Sequence, residues 1–205
     1  MANKTFSKLT VRNQGNLVSQ IHKIIKNYVD FFAMRERVYI KQLSKLDGTI
    51  YWLSDQNNEL IAMAMLEPEH HFELDGLEYR TLGHVIAKKI GIIDRIISHI
   101  WEDYKDDNVI AFSRPSLSHA LHTNDTLLID FSPSELLENW PEMAKKTTSY
   151  FNVRNETVYQ ALSRKAQNLY LKLSEVQETV FAEKYPKAYT FIQEKKRLSL
   201  EAISN

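Results

Sequence analysis

The sequence predicts an α+β fold with a helical C-terminal extension, and three observations carry that expectation. Apolar periodicity changes from 3.6 to 2 around Asp47-Gly48. Asp75-Gly76 stands between two β-forming runs, the strongest short-range hairpin signal in the chain. After Ser132-Pro-Ser-Glu135, a capping-box pattern with proline near a first helical turn, strand signals stop.

Leu17, Ile21, Ile24, Ile25, Tyr28, Val29 and Phe32 recur at steps of three and four, so 17–43 reads as helix. Thr49 to Leu53 follows as a strand rich in β-formers, and Asp55 to Asn58 as a polar turn. Leu60 to Leu66 is apolar on both faces, which predicts an interior strand. Pro68 lacks a ladder donor and should disturb that strand where Glu67, Glu69, His70 and His71 cluster. The hairpin then leads into a strand over Tyr79 to Ala87.

Ile92, Ile93, Ile96, Ile97, Ile100, Trp101 and Tyr104 form a clean helical stripe, ended by Asp106-Asp107-Asn108. Val109 to Phe112 and Thr126 to Asp130 are short strands, with a helical turn expected over 116–121. Asn155 is expected to cap a helix of nearly thirty residues, seamed by Tyr159, Leu162, Ala166, Leu169, Leu173, Val176 and Val180. Pro186 breaks it, and Ala188, Phe191, Ile192 and Leu198 line a last helix. The expected organisation is therefore a domain over 1–131 and a helical extension over 132–205. The extension is expected to fold back as an intrachain hairpin, with a homodimer through the C-terminal helices as the alternative.

Composition narrows the function. Twenty-six basic and twenty-six acidic residues cancel, so no global field draws the chain onto nucleic acid or an anionic membrane. There is no cysteine, which excludes disulfides, thiolate nucleophiles and thiolate metal sites, and suits the cytoplasm. The N-terminus is mixed polar without the apolar core of a leader, and no run approaches the ~20 apolar residues that span a bilayer. No Gly-x-Ser-x-Gly elbow, Walker motif or dinucleotide fingerprint occurs, and the chain has only five glycines.

His84-Val-Ile-Ala-Lys-Lys-Ile-Gly-Ile-Ile93 joins a strand to the apolar helix through a glycine turn. Gly91 permits close approach, Lys88 and Lys89 add positive charge, and no Ser, Thr, Asp or Asn lies between Lys88 and Ile93 to cap the helix. Such a helix start keeps its N–H donors for an anion. With the element order around it, this stretch resembles the GNAT superfamily of N-acyltransferases over roughly residues 20 to 131. The resemblance implies a mixed, mostly antiparallel central sheet flanked by helices.

It also implies acetyl-CoA or another acyl-CoA as cosubstrate, and a small-molecule or protein amine as acceptor. The diphosphate would lie on the turn of Lys88, Lys89, Ile90, Gly91 and Ile92, and the pantetheine arm along Val85 and Ile86. Lys88 takes the Arg/Gln position of the family turn and Gly91 its first glycine, while Ile93 stands where the second small residue belongs. The Tyr that the family often uses as acid has no counterpart in Ser116 to Asn124, where His119, His122 or solvent would substitute.

An acceptor amine is nucleophilic only when neutral, and His84 and Glu67 are the candidate bases. A metal is not expected, because His70 and His71 are adjacent on a strand and point to opposite faces. The rival expectation is a GNAT-like module that has lost catalysis and binds a partner through its helical tail.

Overall fold

The computed structural model describes residues 5–10, 49–66, 72–87, 92–113, 129–150 and 168–204. The expected helix over 17–43, the disturbance at Pro68, the turn at 116–121 and the start of the helix at Asn155 lie outside them. So do Glu67 and Lys88 to Gly91 among the candidate site residues.

Eight strands are described: β1 Thr5–Thr10, β2 Thr49–Ser54, β3 Leu60–Leu66, β4 Glu73–Leu74, β5 Leu77–Ala87, β6 Asn108–Ser113, β7 Ile129–Phe131 and β8 Asn168–Lys172. They form one sheet in the order β1-β2-β3-β5-β6-β8-β7, with β4 paired to the start of β5. Every pairing is antiparallel except β5 with β6. Five helices accompany it: α1 Ile93–Asp103, α2 Pro133–Asn139, α3 Pro141–Tyr150, α4 Glu175–Lys184 and α5 Pro186–Ser204. This is the mixed, mostly antiparallel α+β arrangement expected of a GNAT-like fold, with α1 connecting the one parallel pair.

The middle of the chain folds where its periodicity places it. All seven residues of β3 are buried, as befits a strand between β2 and β5 that is apolar on both faces. Asp75 and Gly76 both take left-handed backbone, with φ of 52° and 78°, the pair that a two-residue hairpin of matching twist requires. Along β6, Val109 and Ala111 join one apolar cluster while Ile110 joins the other, so the two clusters lie on opposite faces of the sheet. The first cluster packs Ile93, Ile96, Ile97 and Ile100 of α1 onto β2, β3 and β5. The second packs α2 to α5 onto β4 to β8 around Trp140 and Phe131.

One strand is unexpected and one expectation is corrected. Thr5–Thr10, in the mixed polar N-terminus, pairs along its length with β2. The long helix expected from Asn155 does not extend over 168–172, because Asn168–Lys172 is a strand lying between β6 and β7. Leu169, taken as part of a helical seam, is fully buried in the sheet, whereas Val176, on α4, is 72% exposed. The strand wins because its apolar residues bury against two neighbouring strands, a non-local gain that local periodicity does not report.

The capping box at Ser132 forms as expected. Ser132 Oγ accepts from the Glu135 amide, and the Ser132 amide donates to Glu135 Oε2 at 2.8 Å. At β7, outermost in the sheet order, Lys195 of α5 donates to the Asp130 carbonyl oxygen at 2.7 Å and also pairs with Glu135 at 3.1 Å.

Candidate functional site

The parallel strands β5 and β6 begin in register, Tyr79 opposite Asn108, and their last matched pair is Leu82 with Ala111. β5 then continues five residues, to Ala87, held among the described residues only on its other edge, where Met63 faces Ile86 and Ala62 faces Ala87 of β5. β6 continues to Ser113, held by β8, where Asn168 faces it. The two strands therefore part beyond Leu82 and Ala111. The register between β3 and β5 slips between Met63 and Met65, placing an extra β5 residue in the stretch of His84 and Val85. A bulge of this kind bends the strand that carries it and increases its local twist.

The candidate residues His84, Val85 and Ile86 thus share the parted stretch of β5. Val85 is half-buried against the cluster under α1. Ile92, which follows this stretch in the chain, is the N-cap of α1 and makes no side-chain capping bond. The isoleucine that stands in the family's small-residue position is no obstacle at the surface: Ile93 is 1% exposed and sits in the core beneath α1. Asp94 enters the first turn, and its Oδ1 is buried without a hydrogen-bond partner among the described residues. Glu67, Lys88, Lys89, Ile90 and Gly91 fall outside the described residues.

The sequence reading missed what lies on the β6 side. Phe112 at the end of β6 stacks on Tyr150, with ring centres 5.6 Å apart and planes 22° apart, and Phe72 packs on both. Asn168, opposite Ser113, donates to Asp130 Oδ2 at 2.9 Å. Asp130 also pairs with Lys195 at 3.2 Å. Lys195 in turn helps to lower the pKa of Glu135: burial alone would raise that carboxyl, but hydrogen bonds from Ser132 and the nearby ammonium outweigh it. The Asn168–Asp130 contact is legible only once 168–172 is known to be a strand.

At the opposite end of β6 and β8 lies a cavity of about 580 Å³ lined by Trp101, Ile129, Leu171, Lys172, Glu178 and Lys196, among others. Its lysines and carboxylates balance, and it is separated from the parted strands by the length of β8. Among the described residues no helix is long and apolar enough to cross a membrane.

No protein-family model and no curated protein matches the sequence. Similar solved structures include a conserved protein of Enterococcus faecalis V583 described as a probable N-acyltransferase, at TM-score 0.40 and 13% identity. That alignment covers 65% of this chain and 36% of the other, so the chain spans about a third of that protein. The catalytic domain of Tetrahymena GCN5 histone acetyltransferase, in complex with coenzyme A, is similar at TM-score 0.44 and 8% identity, covering 84% of this chain and 93% of that one. Both likenesses concern the fold alone.

Proposed function

We propose that this chain is an acyl-CoA-dependent N-acyltransferase that passes an acetyl or other acyl group to a primary amine. The observation behind the proposal is the parting of β5 and β6 beyond Leu82 and Ala111 in front of an uncapped helix start. A strand edge that has lost its neighbour can pair with an extended amide-bearing arm, and pantetheine is such an arm. The diphosphate would then fall on Lys88, Lys89, Ile90, Gly91 and Ile92, where the lysines and the free N–H groups of α1 favour an anion.

In this reading the amine, once neutral, attacks the thioester carbonyl. The carbon–sulfur bond breaks, CoA leaves as thiolate, and the proton shed by the amine passes through a base to solvent or sulfur. His84 on the parted stretch and Glu67 are the candidate bases. The buried position of Ile93 removes one reason to read the turn as spoiled for a ligand.

Calorimetry with acetyl-CoA at fixed salt tests the binding step. Lys88→Ala should weaken binding by roughly tenfold if the ammonium touches phosphate. Gly91→Asp should be far worse, because it adds both bulk and like charge. A wild-type chain that fails to bind acetyl-CoA at millimolar concentration sinks the proposal, while binding without thiol release across a panel of amines supports the non-catalytic module instead.

A further inference from the structure

We propose that the cavity bounded by α1, β8, α4 and α5 binds a small zwitterion with a large apolar body, the chemistry of an apolar α-amino acid. Its volume of about 580 Å³ lies within the range of small-molecule pockets. Trp101 of α1, Ile129 of β7, Leu171 of β8 and Ile192 of α5 form its apolar side, joined by Leu173 and Leu200. The first four are at most 5% exposed, so this side of the cavity is built into the core.

The charges around the cavity decide which ligand fits. Lys172 donates to three main-chain carbonyls, and Glu178 accepts from Tyr189 and Gln193, so both are occupied. Lys105, Asp106 and Glu175 line the same cavity, are exposed, and make no ion pair among the described residues. Lys196 stands 4.0 Å from Glu178, a loose pairing. What remains for a ligand is Lys105 and Lys196 against Asp106 and Glu175, beside an apolar wall. A simple anion would meet the two carboxylates and a simple cation the two ammoniums, each at a cost in like charge. A zwitterion answers both: its carboxylate takes Lys105 or Lys196, its ammonium takes Asp106 or Glu175, and its side chain lies against Trp101, Leu171 and Ile192. β5 and β6 part at the other end of β8, so this site is separate from the proposed acyl transfer and its test does not depend on that reading.

Calorimetry on the full chain tests the site with L-phenylalanine, L-leucine and L-tryptophan, each beside its amide and its deamino acid, which keep one charge apiece. At least one of the amino acids is expected to bind, roughly tenfold or more tighter than either of its analogues. The double variant Asp106→Asn with Glu175→Gln should weaken the amino acid without weakening the deamino acid. Lys105→Met with Lys196→Met should weaken it without weakening the amide. None of these four side chains is buried, so the variants are expected to fold. Failure of all three amino acids to bind at ~10 mM overturns the proposal, as does binding that both double variants leave unchanged, or an analogue that binds as tightly as its amino acid. The Trp101 indole resonance is expected to shift with bound ligand, and an unmoved resonance overturns the assignment to this cavity.

Discussion

The Lys172 ammonium donates to the Tyr104 carbonyl oxygen at 2.9 Å, and to those of Lys105 and Asp107 at 2.9 and 3.0 Å, so that a side chain of β8 closes the C-terminal end of α1. Tyr104 is the C-cap of α1 and Lys105 and Asp107 lie in the turn after it, so the carbonyls gathered at the negative end of the helix meet a cation there. Lys172 is 8% exposed, so water does not readily replace it. Lys172→Met should cost about 2–4 kcal/mol, measured by urea denaturation.

The same lysine shapes the alkaline limb of stability. Burial, opposed by Asp107, Asp106 and Glu175, lowers its pKa, so the folded chain gives up this proton before the unfolded chain does. Its contribution is therefore least favourable below the folded pKa and improves with pH up to the unfolded value near ~10.4. Tyr51, Tyr79 and Tyr185 act in the opposite sense: burial raises all three, so stability falls once pH climbs above ~10 and their unfolded counterparts ionise. Urea midpoints from roughly pH 8 to 10.5 should fall more steeply in Lys172→Met than in the wild type. Parallel curves would refute the assignment.

Ser132→Ala should cost about 1 kcal/mol through loss of the cap on α2. Glu135 adds an acid-sensitive component. Its folded pKa lies below the ordinary value, so its contribution is full above the unfolded value near ~4.3 and is lost as pH falls through the folded one. Glu135→Gln should therefore flatten the acid limb. If the acid limb keeps its wild-type slope in that variant, the carboxylate does not contribute in this way.

Ile93 invites a repair that should fail. Replacing it with a small residue would bring the turn nearer the family pattern, but its side chain is part of the core under α1. Ile93→Ala should lose roughly 2–5 kcal/mol and gain no affinity for acetyl-CoA. Tighter binding at unchanged stability would mean that the side chain faces the ligand after all.

Truncation is the sharpest test of how the chain is divided. An extension made only of helices could be removed with the sheet left standing, but ending the chain before Asn155 deletes β8 from between β6 and β7. Such a fragment should lose its cooperative transition by circular dichroism. A folded fragment would show that β6 can close the sheet by itself.

What could be read from the residues was whatever local pattern decides. The stripe of Ile93, Ile96, Ile97 and Ile100 has one buried face and found it, and Asp75-Gly76 carries its own backbone preference. Asn168–Lys172 failed for the converse reason. Leu169 fits a helical spacing as well as a strand, and only pairing with β6 and β7 selects the strand. The candidate site divides along the same line. Residue types suited to an anion are visible around Gly91, but the parting of the strands depends on where the Leu82–Ala111 register ends, a property of two segments about thirty residues apart in sequence.

Lys195 at β7 also bears on how copies of this chain meet. An outer strand with bare main-chain groups is a template on which further strands can assemble, and sheets guarded by a lysine resist that growth. Here the ammonium already occupies the Asp130 carbonyl and is held by two carboxylates, so an incoming strand would have to displace a charge from its partners. Fibre-like stacking through this margin is disfavoured, and among the described residues no strand lies beyond β7.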